Sequence, residues 1–292
     1  MSKIQQALQK LRSERSQSAK RYPGSNDGSA RIARLAIDSK LKSTHGVVVE
    51  VDQEALRDAG LIAPDYHEQM LANQFRDIKR PLIANAYSKR VARVENGNLI
   101  MVTSALAGEG KTFTSLNLVI SMSQEQDLTV LLVDADVAKP HVSNVFGVSE
   151  MPGLLDVLEG DVDQVESLIV PTNLEGLSIL PAGAPRRNAT ELLSGSRMDN
   201  LVQQLATRFP QRVVIFDTPP LLETSESKVL TSMAGQVVLV VRAEYTSQGA
   251  VADALHILGE DKATNLILNQ FRSAAGADQY EYGYGYGFSE FC

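Results

Sequence analysis

Leu99-Ile-Met-Val-Thr-Ser-Ala-Leu-Ala-Gly-Glu-Gly-Lys-Thr-Phe-Thr-Ser115 carries the reading of this chain. A β-branched apolar run enters a glycine-bearing turn. Lys111-Thr112 then opens a segment with Phe113, Leu116, Val119 and Ile120 at helical spacing. Strand, turn and helix start in that order make a phosphate-binding loop, or P-loop. Glycines at 108 and 110 let backbone N–H groups converge on phosphate oxygens, and the helix start adds unpaired donors and a positive dipole end. The cradle spans Ala107, Gly108, Glu109, Gly110, Lys111, Thr112 and Phe113. Lys111 would reach the β/γ-phosphates of a nucleotide, and Thr112 would offer its hydroxyl to Mg2+. Ala105 stands where the strict pattern has its first glycine, so the turn alone also suits a strand–helix connection that binds nothing.

Two acidic stretches decide between these readings. Thr129–Val133 ends in Asp134-Ala-Asp136, and Val213–Phe216 ends in Asp217-Thr-Pro-Pro220. Further apolar runs at Leu99–Thr103, Leu177–Leu180, Val237–Val241 and Leu266–Leu268 alternate with helical patterns over 112–124, around Leu154–Leu158, Arg197–Arg208 and Ala250–Leu258. Unalternated strands separated by helices imply a parallel sheet covered on both faces, with ligands at the carboxyl ends of its strands. Asp134, Asp136 and Asp217 therefore emerge at the same edge as the loop. Carboxylates facing a polyphosphate make sense with a metal between them, which assigns Thr112, Asp136 and Asp217 to Mg2+. Each aspartate could instead cap a turn, a reading that weakens when two such sites flank Gly110-Lys111-Thr112.

With these motifs on the page, the sequence resembles the bacterial tyrosine kinases, and within them the exosortase-associated tyrosine autokinases. Residues 99–112 resemble the family's Walker A motif, 130–140 its Walker A′ and 213–220 its Walker B. Asn73 to Ala86 is similar to the pre-kinase helix, and Leu174–Gly183 and Thr190–Leu193 to the spacer. The likeness covers about residues 45–292. It implies an α/β fold of the P-loop NTPase type, a mostly parallel central sheet with helices on both faces. It also implies ATP and Mg2+ as cofactors. Lys111, Asp134 and Asp136 are then the catalytic set, with Asp134 accepting the tyrosine proton and Asn269 contacting the adenine. Ala138 replaces the family's arginine, with Lys139 beside it. The oligomerisation motif E-x-x-R-x-x-R falls on Asn73, Arg76 and Lys79, so its Glu is missing. A further acid expected after Walker B is either Glu223 or Glu226.

Tyr280, Tyr282, Tyr284 and Tyr286 lie near the end of the chain, spaced by Glu281, Gly283 and Gly285. Alternating glycine does not support a packed strand on its own, so the tail reads as mobile; period two would put all four rings on one side if it extends. Such a tail suits stacking on a partner or addition to a sheet edge. Beside a site of this type it reads better as the phosphoacceptor, the role of the family's terminal tyrosine cluster. A tail held at the far edge of its own domain would most easily reach a neighbour's site, so transfer is expected in trans.

The rest of the chain is ordered around this core. Residues 1–45 carry ten Lys or Arg against three acids, whereas the whole chain has a net charge of −7. This basic arm contains a short helix with Ile4, Ala7, Leu8 and Leu11 on one face, then a Pro/Gly/Ser linker. It suits anionic lipid or an acidic partner, or is simply solvated. Residues 46–96 form a pre-kinase segment with a strand at 46–51, a short helix from Glu54 and a helix from Tyr66. That helix buries Leu71, Phe75, Ile78 and Leu82, turns Arg76, Lys79 and Arg80 outward, and kinks or ends at Pro81. The kinase domain spans 97–273 and the tail 274–292. With no apolar run long enough to span a membrane and one cysteine, Cys292, the chain reads as cytoplasmic. The resemblance implies peripheral association with the inner membrane through a separate polysaccharide chain-length-determinant or co-polymerase protein, a homo-oligomer, a tyrosine phosphatase as counterpart, and no nucleic acid. The function implied is autophosphorylation that controls exopolysaccharide polymerisation and export. The rival is a ParA/MinD-like ATPase switch, whose extra lysine five positions before the P-loop lysine is Leu106 here.

Overall fold

A computed structural model describes residues 47–62, 68–88, 93–162, 164–209 and 211–271. The basic N-terminal helix, its linker and the tyrosine tail lie outside them. In chain order the elements are α1 (Gln53–Asp58), α2 (Glu68–Tyr87), β1 (Leu99–Ser104), α3 (Lys111–Ser123), β2 (Thr129–Asp134), α4 (His141–Val145) and α5 (Leu154–Glu159). There follow β3 (Val170–Pro171), β4 (Leu177–Leu180), α6 (Ala189–Leu193), α7 (Ser196–Thr207), β5 (Arg212–Asp217), α8 (Ser225–Met233), β6 (Gln236–Arg242), α9 (Gln248–Leu258) and β7 (Ala263–Asn269). The strands form one sheet in the order β3-β4-β2-β5-β1-β6-β7. All neighbours are parallel except β3, which runs antiparallel to β4. The fold is the expected P-loop NTPase type.

Strand periodicity divides the core in two. Leu99, Met101, Leu131, Val133, Val214, Phe216, Val237 and Leu239 point to one face, where α5, α7, α8 and α9 cover them. Ile100, Val102, Val130, Leu132, Val213, Ile215, Val238 and Val240 point to the other, against α1, α2 and α3. Both faces are buried, which is why these strands read as continuous apolar runs.

The segment before β1 shares this second core. Gln236, fully buried, donates from Nε2 to the carbonyls of Leu82 (2.9 Å) and Gly97 (2.6 Å) and accepts from Asn85 Nδ2 (2.8 Å). The ring of Phe75 lies 6.4 Å from that of Phe113, tilted by 58°.

Local expectations were corrected in four places. Pro81 does not end α2, which runs through it to Tyr87. Proline inside a helix costs about 3 kcal/mol, and the fully buried Leu82 with its carbonyl bond to Gln236 holds the helix through it. Lys79 does not face solvent: 5% exposed, it donates to Ser121 O (2.5 Å) and pairs with Glu125 (2.7 Å), clamping α2 to α3. The strand at 46–51 reduces to one bridge, Val49 to Thr172. Ser196-x-x-Asp199 carries a capping signal for α7, yet Ser196 is the first residue of the helix and Gly195 holds the cap position in an extended conformation. The helices α4, α6 and α8 went unread, because five residues show no period and α8 is half polar.

Lys79→Met is expected to cost about 1–3 kcal/mol, by loss of a charged bond and of the pair with Glu125. At roughly 2–4 °C per kcal/mol for a domain of this size, the melting temperature should drop by several degrees; an unchanged melt would assign the clamp no net stabilisation.

Candidate functional site

The loop after β1 is shaped by two left-handed glycines, Gly108 (φ 80°) and Gly110 (φ 97°). Gly110 is also the cap of α3, and no side chain bonds the helix's first amides. A 13-residue helix thus opens on the loop with its N–H groups uncapped, the arrangement that receives an anion. A cavity of about 360 Å3 lies there, lined by Gly108, Gly110, Lys111, Thr112, Phe113, His141 and Asn269, with Ala59, Gly60 and Leu61 on another wall.

The side chain of Glu109 and the amide of Ala107 are both engaged within the protein. The Glu109 side chain turns inward, fully buried, accepting from the amide of Leu106 (2.7 Å) and from the hydroxyl of Thr246. That keeps its charge off the cavity and leaves only its backbone for a ligand. The amide of Ala107 donates to Glu223 Oε1 at 2.7 Å. Of the two acids after β5, Glu223 is therefore the one at the loop, whereas Glu226 accepts from Thr190 Oγ1 (2.6 Å), which holds its carboxyl below the usual range.

The register brings the aspartates together: Asp134 and Asp217 are neighbours on β2 and β5, and Asp217 is paired with Val102 on β1. Asp217 is 1% exposed and accepts from Thr112 Oγ1 (2.9 Å) and Ser115 Oγ (2.8 Å). Burial pushes its pKa up; the two hydroxyls and the charge of Lys111 oppose that. Asp136, raised by burial and held down by the Lys139 amide and by Lys111, His141 and Lys139, accepts from Lys139 N (3.1 Å).

Asp134 is fully buried, and one oxygen, Oδ2, accepts from both the amide and the hydroxyl of Ser143 at 2.7 Å. Ser143 Oγ in turn accepts from Ala182 N (3.0 Å), after β4. Oδ1 is buried with no partner. Burial, with Asp217 beside it, raises the Asp134 pKa to about 8 against the pull of the Ser143 bonds. None of the three aspartates is on the cavity lining; Asp134 and Asp217 stand side by side at the ends of β2 and β5.

These donors fit a nucleotide-bound Mg2+. No three His, Cys, Asp or Glu side chains among the described residues are arranged to hold a metal alone. Mg2+ at a phosphate site takes one or two carboxylates and fills its shell with phosphate and water. Thr112 and Asp217, already in contact, with Asp136 nearby and an orphaned carboxylate oxygen on Asp134, supply that chemistry.

Asn269 is placed as expected, at the end of β7 on the cavity wall, donating to Glu109 O (2.8 Å). Ser115, Ser143 and Glu109's inward turn were not read. Ser115 lies one turn beyond Lys111, so helical spacing could have found it. Ser143 sits on a five-residue helix without a periodic signal. Ala59–Leu61 reach the cavity through tertiary contact, Leu61 O accepting from Asn117 Nδ2 (3.0 Å).

A Cβ at Gly110 would meet Asn269 Nδ2 at 2.0 Å, at a φ that side chains rarely adopt. Gly110→Ala is therefore expected to break the Asn269 contact, close the loop and weaken binding of a fluorescent nucleotide at least about tenfold. Equal affinity in titrations would show that the loop relaxes without cost.

A sequence profile of the AAA domain family matches residues 97–269. The chain is 35% identical over 164 residues to the tyrosine-protein kinase YwqD of Bacillus subtilis, a match covering 56% of this chain and 68% of that protein. It is 32% identical over 182 residues to the tyrosine-protein kinase Ptk of Acinetobacter johnsonii, covering 61% of this chain. The chain spans about a quarter of that relative's length, 24%. Among solved structures it is similar to the kinase domain of VpsO at 30% identity and a TM-score of 0.58, covering 72% of this chain and 100% of that one. The kinase domain of the Escherichia coli tyrosine kinase Etk is similar at 27% identity and a TM-score of 0.59, covering 73% and 80%.

Proposed function

The chain belongs to the bacterial tyrosine kinases of the AAA domain family, and from that membership we propose that it is an ATP-dependent protein-tyrosine autokinase. Its acceptors are Tyr280, Tyr282, Tyr284 and Tyr286. The observation that carries this reading is the meeting of Thr112 with Asp217, and of Asp217 with Asp134, directly under an uncapped helix start.

In the proposed reaction the uncapped amides and Lys111 hold the ATP phosphates, and Thr112, Asp217 and Asp136 hold Mg2+. The metal's contribution when bound is to neutralise charge on the phosphates. Lys111 opposes the charge that develops on the transferred phosphoryl group. Oδ1 of Asp134, the atom without a partner, accepts the tyrosine hydroxyl proton as the phenolic oxygen bonds to the γ-phosphorus and ADP leaves. Burial raises the Asp134 pKa, which makes the ionised carboxylate a stronger proton acceptor than an exposed one. Both oxygens of Asp134 are buried, so the hydroxyl would reach Oδ1 only where bound substrates open the cavity onto it.

Transfer in trans has less geometric ground than chain order suggested. Gln270 lines the cavity, so β7 ends beside the loop. Ten residues to Tyr280 extend to roughly 34 Å, enough to reach either its own site or another. Transfer between chains is read by mixing a Lys111→Met chain with a chain cut after residue 271: phosphate on the former requires it.

Control of exopolysaccharide polymerisation and export, with a separate membrane protein of the chain-length-determinant type, a homo-oligomer and a tyrosine phosphatase, completes the proposal. Among the described residues no helix is long and apolar enough to cross a membrane. Of the family motif at α2, Asn73 accepts from the exposed Arg76 (2.7 Å), and Lys79 is paired with Glu125 of the same chain. The test is incubation with Mg·ATP and mapping of phosphotyrosine by mass spectrometry. ADP formed with no modified tyrosine, even with the membrane partner added, would return the chain to the ATPase switches.

A further inference from the structure

β7 closes one side of the sheet: it pairs with β6 alone, leaving its outer row of backbone groups without a neighbouring strand among the described residues. Edge strands are usually blunted by charge, proline or a bulge. The seven residues of β7, Ala-Thr-Asn-Leu-Ile-Leu-Asn, contain no charged residue and no proline. Its two faces also differ. Ile267 packs into the core with α3, whereas Leu266 and Leu268, two apart on the opposite face, are 54% and 59% exposed. The result is an unpaired edge with an apolar stripe at period two.

The sequence that follows has the matching period. After Gln270–Gln279, Tyr280-Glu-Tyr-Gly-Tyr-Gly-Tyr286 is seven residues long, the length of β7, with a ring at every second position. Ten intervening residues are ample for the chain to turn back, and a returning strand is antiparallel. Tyr280 would then lie near Leu268 and Tyr282 near Leu266, aromatic–aliphatic cross-strand pairs of the kind that stabilise sheets.

We propose that Tyr280–Tyr286 add as an antiparallel strand to the free edge of β7 in the same chain, laying the tyrosine rings over Leu266 and Leu268. The occupant is argued from continuity, length and period: this segment begins at the end of the strand it covers. Resting on the kinase reading above, the docked strand stores the acceptor hydroxyls out of any active site. A phosphate brings about −1.5 to −2 charges onto an apolar stripe, with Glu260 and Asp261 at its far end, so a modified tail leaves the edge.

Hydrogen exchange on the full chain without nucleotide tests the docking independently of kinase activity. Amides of 281–286 are expected to exchange at least about tenfold more slowly than in a synthetic peptide of residues 272–292, at a ratio that does not change on dilution. Leu266→Asp/Leu268→Asp should restore the peptide rate while β1 and β5 stay protected. Tyr282→Ser/Tyr284→Ser, which leaves the folded body untouched, should do the same. A chain carrying a ligated synthetic tail with phosphotyrosine at 282 and 284 should also exchange at the peptide rate. Peptide-like exchange in the unmodified chain overturns the proposal. So does protection that fades on dilution, which would give the edge to a second copy; retained protection in the phosphorylated chain overturns the release.

Discussion

Lys111→Met is expected to lower the initial rate of tail phosphorylation at saturating Mg·ATP by about 10²–10⁴ while leaving the fold intact. Lys111 is partly exposed on the cavity wall, and among the described residues its side chain makes no hydrogen bond, so methionine can take its place without opening the core. Its charge acts on Asp136 and Asp217, whose carboxyls it helps to hold down. It would act in the same way on phosphate oxygens, more strongly as charge builds up on the transferred group, so turnover should suffer more than nucleotide affinity. Quantitative phosphotyrosine mass spectrometry, with a thermal melt as control, reads both effects. Wild-type levels of phosphotyrosine in the variant would point to a contaminating kinase and remove Lys111 from the chemistry.

Asp134→Asn should move stability and activity in opposite directions. In the folded chain the Asp134 pKa is raised from 3.8 to about 8, mostly by burial. Below the unfolded value, near 4, the carboxyl is neutral in both states and its burial carries no charge penalty. As pH rises towards 8 the unfolded chain is ionised while the folded one resists ionisation, so the wild type loses stability across that window and the loss is complete above it. Asparagine has no such titration and its amide oxygen can still accept from Ser143. The metal-free, nucleotide-free variant should therefore match the wild type near pH 4 and exceed it by an amount growing to on the order of a few kcal/mol at pH 8. Phosphorylation should meanwhile fall by about 10²–10⁴ for want of a proton acceptor. Melts at pH 5 and pH 8 in the presence of EDTA, beside a rate assay, decide it. A variant less stable than wild type at both pH values would mean that the carboxylate is paired rather than stranded.

The opposed effects fit a site whose local rules are broken for function: a carboxylate oxygen is buried without a partner, and a helix start is left uncapped. The central strands were legible as unbroken apolar runs and the long helices because their apolar residues repeat at 3.6 over enough positions to be counted; the two-residue β3 was not. The short helices were not, and neither was α2's passage through Pro81, where a distant amide, Gln236, supports the helix. Lys79 was read as a surface charge for the same reason: nothing within α2 announces that Ser121 and Glu125 wait on α3.

Amino-acid order was sufficient for the class of fold, the loop with its Lys111 and Thr112, and the strand ends bearing Asp134, Asp136 and Asp217. Each of these is a local pattern, and in a parallel sheet the carboxyl ends of the strands share an edge by topology. Which carboxylate oxygen is left without a partner, which are held and which acid faces the loop depended on contacts between residues far apart in the chain. Ser115 and Ser143 on the aspartates, Glu223 rather than Glu226 on the loop, Glu109 turned inward to Thr246, and Ala59–Leu61 on the cavity wall all come from such contacts. Burial and hydrogen bonding set the charge state of these groups, and both arise only when the chain has closed on itself.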